Sequence, residues 1–188
     1  MIYLCRHGET EYNREGRIQG QLDSSLTPLG RKQARAMADR LGALIDDPAG
    51  WRLVASPLAR TRETAAPIAE RLGLPVELDS RLMEIHVGAW QDQLHNTLLK
   101  AHPELDNDRL WCFRAPGGET YEGMLARIRS WLDEQPQDAN VIVVSHGVAG
   151  RLLRALVLGL DPAAAMRQDI PQDAIFRIDQ GRIDRIPC

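Results

Sequence analysis

The chain has 188 residues, enough for one domain with a substantial buried core. Its net charge of −3 excludes a general attraction to nucleic acid or to an anionic membrane surface, so any anion must be bound by a local group of basic residues. Charged residues throughout the first 20 positions predict that the chain has no signal peptide. No apolar run approaches the roughly 20 residues that cross a bilayer. Three scattered cysteines predict reduced thiols in a cytoplasmic protein.

The first predicted element is a buried parallel strand. Ile2 to Arg6 is predicted as this strand because residues 2–5 are apolar without alternation, and His7-Gly8 follows at once. A polar loop then continues to Thr27, whose capping side chain stands directly before Pro28 and predicts a helix to about residue 45. Ligands bind beyond the carboxyl ends of strands in an open α/β sheet, so the residues after the first strand are expected at a binding edge.

The middle of the chain continues the alternation and then loses it. Trp51 to Ala55 is predicted as the second strand, and Ser56-Pro57 repeats the cap-plus-proline signal for a helix to about residue 72. A short third strand is predicted near Pro75 to Leu78. Residues 79–118 are irregular, with helical patches around 93–101 and 106–113. Irregular sections of this kind usually cover a site on a rigid scaffold, so this section is predicted to form a cap that determines substrate specificity.

The last third predicts regular structure again. Thr120 caps a helix to about residue 134, Asn140 to Val144 is the strongest strand signal, and Gly147 opens a helix to about residue 158. The last 16 residues are predicted as a hairpin around Gln180-Gly181. This alternation predicts an α/β fold, a three-layer α/β/α sandwich with a mostly parallel central sheet, formed by a single domain over residues 1–188.

Two histidines are expected at the same edge of this sheet. His7 and His146 each follow a strand, and each is followed by a glycine. Together with Arg6 they would form a cationic pocket, to which the Gly147 amide at a helix N-terminus would add a donor. The natural ligand of such a pocket is an anion such as phosphate. No metal site is predicted, because the sequence has no His-x-x-x-His pair and no Cys/His cluster at zinc spacing.

Several segments, in a consistent order, resemble the histidine phosphatase superfamily, the group that contains the phosphoglycerate mutases. They are Arg6 to Thr10 with Asn13, Gln19-Gly20, Leu26 to Gly30, Ser56 to Ala65, Glu84 with Gly88 and Trp90, and Pro116 to Thr120. The resemblance covers nearly the whole chain and implies a phosphoglycerate mutase-like fold. One position departs from the pattern, because Gln91-Asp92 stands where relatives commonly carry Glu-Gly after the tryptophan. The missing glycine predicts an altered backbone beside the site.

The resemblance also implies roles for individual residues. His7 would be the nucleophile, Arg6 and Arg60 would bind phosphate through their guanidinium groups, and Glu84 would protonate the leaving alcohol. His146, if protonated beside the anion, would be a further cationic donor. Asn13, Gln19, Gly20 and Gly147 would contact phosphate or substrate. No cofactor is implied.

Other interpretations of the acid remain open at this stage. Glu9 and Glu119 compete with Glu84 for the acid role, and Glu84 could instead be an ordinary loop carboxylate or pair with Arg81. Arg62 is either an exposed charge on the helix or a second arginine that binds the phosphate beside Arg60.

The expected function is that of a metal-independent phosphomonoester phosphatase acting on a small phosphorylated metabolite. The chain is shorter than the glycolytic mutases, and between the acid and Pro116 it offers only Lys100, Arg109 and Arg114, so the resemblance favours the broad phosphatase branch. Two alternatives remain, a bisphosphate-primed phosphoglycerate mutase and a phospholigand-binding module with little turnover. The sequence leaves open which ester is the substrate and whether the chain forms a homo-oligomer.

Overall fold

The computed structural model describes the whole chain, Met1–Cys188, as six strands and seven helices. The strands are β1 (Ile2–Arg6), β2 (Trp51–Ala55), β3 (Val76–Leu78), β4 (Asn140–Ser145), β5 (Ala174–Asp179) and β6 (Arg182–Pro187). The helices are α1 (Glu11–Glu15), α2 (Pro28–Leu44), α3 (Ala59–Leu72), α4 (His95–Ala101), α5 (Tyr121–Asp133), α6 (Gly147–Leu158) and α7 (Pro162–Arg167). None of these helices combines the length and the apolar character that crossing a membrane would require.

The six strands form one sheet in the order β3-β2-β4-β1-β5-β6. The first four of this order run parallel, and β5 and β6 form an antiparallel hairpin at one edge, as the sequence predicts. In the β1–β4 pair Arg6 lies opposite Ser145. The residues that follow these two central strands, His7 and His146, therefore emerge side by side at one edge of the sheet.

Both faces of the sheet are covered, because its central strands are apolar on both sides. One core lies under α2 and α3 and contains Tyr3, Cys5, Leu53, Ala55, Ile142 and Val144 from the strands. The other lies under α5 and α6 and contains Leu4, Val54, Val141 and Val143. This arrangement confirms the predicted α/β/α sandwich.

Two short helices and one helix start differ from the predictions. The loop after β1 contains α1, which a capping box between Thr10 and Asn13 stabilises, and the chain after α6 contains α7, which Asp161 caps. The helix expected from Ser56-Pro57 begins later, at Ala59, with Leu58 as its N-cap residue and no capping side chain. Ser56 lies before the N-cap residue Leu58, and its hydroxyl accepts from the Leu58 amide at 3.4 Å and contacts the ring of His146 at 2.8 Å.

The irregular section between β3 and α5 contains α4 and several 3₁₀ turns. The predicted helical patch at 106–113 is only a 3₁₀ turn, Trp111–Arg114. Aromatic contacts hold this section together, since the ring of Trp111 stacks on Trp90 at 6.2 Å and meets the edge of His95 at 5.0 Å between centroids. These contacts fix the position of Trp111, which faces the site described next.

Candidate active site

His7 is buried at the carboxyl end of β1, and its hydrogen bond defines which ring nitrogen is free. The Nδ1 atom lies 2.8 Å from the Gly8 carbonyl oxygen. A carbonyl can only accept, so Nδ1 carries the proton and Nε2 presents its lone pair. Burial, with the nearby Arg6 and Arg60, holds the pKa of His7 well below its usual value. The ring is therefore a neutral imidazole with an available nucleophilic nitrogen.

Arg6 and Gln19 each hold a donor that the protein does not satisfy. Arg6 is anchored by Nη1, which donates to the Ile170 carbonyl at 2.6 Å, whereas its buried Nε has no acceptor. Gln19 accepts from the Thr10 hydroxyl through Oε1, and its buried Nε2 has no acceptor either. These are the only two buried side-chain nitrogen or oxygen atoms without a partner, and both residues line one cavity.

Arg60 lies at the start of α3 with its guanidinium almost completely buried. It donates from Nη2 to the Gly20 carbonyl at 2.7 Å, from Nη1 to the Leu22 carbonyl at 2.9 Å and from Nε to His146 at 3.2 Å. Burial is the main cause that lowers the pKa of Arg60 to about 10, so the group stays charged at neutral pH. Arg60 thus connects the loop that contains Gln19 and Gly20 to the edge of the sheet.

The contacts of His146 favour a neutral ring, and its protonation beside a bound anion stays a prediction. Its Nδ1 accepts from the Arg60 Nε, so the proton is on Nε2, which lies 2.8 Å from the Ser56 hydroxyl. Burial and the charge of Arg60 hold the pKa of His146 well below its usual value. The physical reason is that a guanidinium can only donate, so it selects the unprotonated Nδ1.

Glu84 is the only carboxylate that lines the cavity. Its oxygens accept from the amides of Ile85, Val148 and Ala149, each at 3.1 Å, so the N-terminus of α6 fixes the carboxylate. The rival acids from the sequence lie elsewhere and have other partners. Glu9 accepts from Thr27, Glu119 pairs with Arg127, and Arg81 pairs with Asp79 and Glu134.

The cavity has a volume of about 200 Å³ and brings together seven of the nine residues predicted from the sequence. These are Arg6, His7, Asn13, Gln19, Gly20, Arg60 and Glu84. His146 does not line it, because the ring lies behind His7, with 5.3 Å between the ring centroids. Gly147 does not line it either, and a Cβ there would lie 3.3 Å from Ile170 Cδ1, 3.6 Å from Glu84 Oε2 and 3.7 Å from Arg6 Nε.

Two polar residues of the site were not predicted from the sequence. Gln172 donates from Nε2 to the His7 carbonyl and to Asn13 Oδ1, each at 3.1 Å, and so connects the segment before β5 to the loop after β1. Arg151 lines the cavity from α6, one helical turn after Gly147. The helical spacing from Gly147 could have indicated Arg151, whereas no local pattern marks Gln172.

Two backbone features shape the loops around the cavity. A Cβ on Gly30 would lie 2.0 Å from the Glu9 carbonyl oxygen, so the loop after β1 packs directly on the backbone of α2. Asp92 adopts a φ of 68°, the left-handed region that favours glycine, and Arg17 donates to its carbonyl at 2.8 Å. Asp92 therefore holds a backbone conformation that glycine adopts without strain, and an altered backbone beside the site stays a prediction.

Comparisons with known proteins give a consistent pattern. Residues 2–183 match the family model for the histidine phosphatase superfamily (branch 1). A curated protein named "Probable phosphoglycerate mutase GpmB", from Serratia proteamaculans (strain 568), is 36% identical over 184 residues, which cover 95% of this chain and 84% of that protein.

Two solved structures share the whole architecture. A mycobacterial glucosyl-3-phosphoglycerate phosphatase, solved with VO3, is similar with a TM-score of 0.80 and 32% identity, covering 99% of this chain and 98% of that one. A protein named YhfR from Bacillus stearothermophilus is similar with a TM-score of 0.81 and 27% identity, covering 99% of this chain and 95% of that one.

Proposed function

Since the chain belongs to the histidine phosphatase superfamily, we propose that it is a metal-independent phosphatase of small phosphomonoesters that acts through a phosphohistidine at His7. The observation that carries the proposal is the pair of buried, unsatisfied donors, Arg6 Nε and Gln19 Nε2, on two residues that line the cavity beside that histidine. A buried donor without an acceptor costs about 1–3 kcal/mol. These two donors, together with the buried guanidinium of Arg60, favour an anionic ligand with several acceptor oxygens, as in a phosphate group.

In the first step the phosphate is held by Arg6 and Gln19, and His7 Nε2 attacks the phosphorus. A bond forms between Nε2 and phosphorus while the bond from phosphorus to the ester oxygen breaks, and Glu84 gives its proton to the departing alkoxide. The proton stays on His7 Nδ1, which continues to donate to the Gly8 carbonyl and so stabilises the phosphorylated ring. The products of this step are the free alcohol and a phosphohistidine.

In the second step water replaces the alcohol. The Glu84 carboxylate accepts a proton from water as the water oxygen bonds to phosphorus, and the bond from phosphorus to His7 Nε2 breaks. Inorganic phosphate leaves, and Glu84 regains the proton that it needs for the next turnover. Side chains supply all the positive charge of this scheme, so no metal is required.

The cavity favours a small ester over a large one. Its volume of about 200 Å³ lies below the roughly 300–1,000 Å³ of pockets for drug-sized ligands. We place the enzyme in the cytoplasm, because its three cysteines are unpaired.

A phosphoglycerate mutase is the second candidate, which the name of the curated relatives favours. A mutase must retain its product until the phosphate returns. The interval between Glu84 and Pro116 supplies no basic residue to the cavity, and Arg114 there pairs with Asp108. This arrangement favours release of the product and transfer to water. Retention of Glu84 argues against a pure binding module, because phosphate binding alone needs no acid.

A panel of phosphate esters, assayed with and without 2,3-bisphosphoglycerate, tests the proposal. We expect inorganic phosphate release that needs no bisphosphate and that survives excess chelator, and a phosphohistidine that survives an alkaline quench. The His7→Ala variant is the control, with less than roughly a hundredth of the wild-type rate. Isomerised product that depends on the bisphosphate would establish the mutase instead, and loss of activity to chelator would overturn the metal-free scheme.

A further inference from the structure

The segment between α7 and β5, residues 168–172, is held in place by side chains from other parts of the chain, and we call it the strap. No backbone amide of residues 169–172 donates to another backbone group. Instead, three successive carbonyls of the strap each accept a hydrogen bond from a different arginine. The pairs are Gln168 with Arg151, Asp169 with Arg154 and Ile170 with Arg6. The position of the strap therefore depends on arginine side chains.

Arg6 depends on the strap for its direction. Its hydrogen bond to the Ile170 carbonyl, at 2.6 Å, is the only one that its guanidinium donates within the protein, and its buried Nε has no acceptor. Pro171 follows, and a residue before proline is restricted to extended conformations, so the direction of the Ile170 carbonyl is restricted as well. Gln172 then donates to the His7 carbonyl. The strap thus contacts both Arg6 and His7.

Arg154 holds the strap from outside the cavity of the active site. Its side chain is 5% exposed, its guanidinium lies 3.9 Å from the centroid of the Phe176 ring, and it does not line the cavity. Together with Arg6 and Ile170 it borders a separate space of about 10 Å³, which has room for one water at most. Substrate therefore cannot contact Arg154, and any effect of this residue on the reaction must pass through the strap.

Packing alone does not require an arginine at this position. Burial lowers the pKa of Arg154, and a buried charge is costly unless its hydrogen bonds offset the lost hydration. The ion pair with Asp169, at 3.2 Å, contributes little because that carboxylate is more than half exposed. An apolar residue of similar volume would fill the space beside Phe176 without this cost. What the guanidinium adds is its hydrogen bond to the Asp169 carbonyl, one peptide unit before the carbonyl that directs Arg6.

We infer that Arg154 is a positioning residue for phosphate binding. By holding the strap at Asp169, it fixes the Ile170 carbonyl and, through that carbonyl, the direction of the Arg6 guanidinium. The inference rests on the proposed function, which assigns Arg6 to the phosphate. It adds to the site a residue that contacts neither the substrate nor the reacting atoms.

The Arg154→Gln variant tests the inference through its affinity for inorganic phosphate. A misplacement of about 1 Å can cost about 10²-fold, so we expect the Kd for inorganic phosphate, measured by isothermal titration, to rise roughly 10- to 100-fold. The value of kcat/KM should fall by a similar factor. Arg154→Lys, which keeps the charge and one donor, should recover part of both. The control is Arg185→Gln, which removes an exposed arginine that contacts the strap only through the Asp169 carboxylate and should change neither value.

A double-mutant cycle with Arg6 separates positioning from a general loss of stability. Substitutions that act independently add within about twofold. If Arg154 acts through Arg6, adding Arg154→Gln to the Arg6→Gln variant should instead change the phosphate affinity and kcat/KM by less than about twofold. Additive losses would overturn the inference and leave Arg154 with only a structural role.

Pro171→Ala is a second variant, and it leaves every arginine in place. It removes the restriction on Ile170, so phosphate affinity should fall roughly two- to fivefold, the scale of the backbone freedom that a proline removes. This loss should also disappear in the Arg6→Gln background. Circular dichroism establishes which variants fold. If Arg154→Gln does not fold, Pro171→Ala decides alone, and wild-type phosphate affinity in that variant would refute the inference.

Phosphate binding also separates this inference from the proposed function. If the wild-type protein released no phosphate from any ester, but bound inorganic phosphate with an affinity that needed Arg154 only while Arg6 was present, the phosphatase proposal would fail and the positioning role would stand. If esters were hydrolysed but the phosphate affinity of a folded Arg154→Gln variant equalled that of the wild type, the positioning role would fail and the phosphatase proposal would stand.

Discussion

The Nε atom of Arg60 donates to the Nδ1 atom of His146 across 3.2 Å, and this contact defines a neutral histidine at the sheet edge. The opposite nitrogen of the same ring carries the proton and lies 2.8 Å from the Ser56 hydroxyl. His146 therefore links the start of α3 to the end of β2. It supports the orientation of Arg60, which in turn holds the loop that carries Gly20.

The two buried histidines should make the protein less stable at mildly acidic pH. The pKa values of His7 and His146 lie well below 6.5 in the folded protein, whereas both histidines titrate near 6.5 when unfolded. Below that pH the unfolded chain binds more protons than the folded protein. The free energy of unfolding therefore falls as the pH decreases below about 6.5. The slope is about 1.4 kcal/mol per pH unit for each histidine.

Urea denaturation at several values between about pH 5 and 6.5 measures this slope, because most carboxyl groups titrate lower. The His146→Gln variant should show a slope smaller by the contribution of one histidine. A slope that is unchanged in the variant would mean that His146 is already protonated in the folded protein.

Arg60→Lys should slow phosphate release although it keeps the charge. A lysine side chain has one nitrogen and cannot donate to Gly20, Leu22 and His146 together. The loop would therefore be held less firmly, and the phosphate contacts would weaken. We expect kcat/KM to fall roughly 10- to 100-fold, the range for hydrogen bonds to a charged group. Steady-state kinetics should show no comparable loss for Arg62→Lys, an exposed arginine of the same helix that lies outside the cavity.

The role of Glu84 should depend on the leaving group. Glu84→Gln should slow hydrolysis of an alkyl phosphate by roughly 10²- to 10⁴-fold, as expected for general acid catalysis. Nitrophenyl phosphate should be affected much less, because its leaving group is stable without a proton. Glu122→Gln, which removes an exposed carboxylate, is the control. Equal slowing of both esters would indicate that Glu84 positions the substrate and that the proton comes from another group.

Gly30→Ala should destabilise the fold through a backbone clash. The added Cβ would lie 2.0 Å from the Glu9 carbonyl oxygen, and neither backbone segment can move without disturbing the loop after β1. We expect the free energy of unfolding to fall by about 1–3 kcal/mol, the usual cost of overpacking.

Gly42→Ala, in the same helix, is the matched control. Its Cβ would meet only the flexible end of the Arg71 side chain, so helix propensity should raise stability by up to about 1 kcal/mol. Thermal unfolding of the two variants should therefore shift in opposite directions. A destabilised Gly42→Ala variant would mean that alanine in α2 is harmful for a reason other than the contact with Glu9.

Short-range patterns in the sequence were sufficient for most of the fold. The apolar runs predicted β1 and β4, and the caps at Thr27 and Thr120 predicted the starts of α2 and α5. The parallel arrangement then placed His7 and His146 together, because both follow central strands. Each of these predictions depends on neighbours along the chain, which the sequence displays directly.

The details of the cavity depended on contacts between residues distant in sequence, which no local pattern encodes. Gln172 reaches the His7 carbonyl only because β5 pairs antiparallel with β1. The tautomer of His146 is defined by Arg60, which is distant in sequence. The sequence alone thus determined the order of the elements and the edge that carries the site. The packing of β5, α6 and the irregular section determined which donors remain unpaired there, because hydrogen-bond satisfaction is a property of the assembled structure.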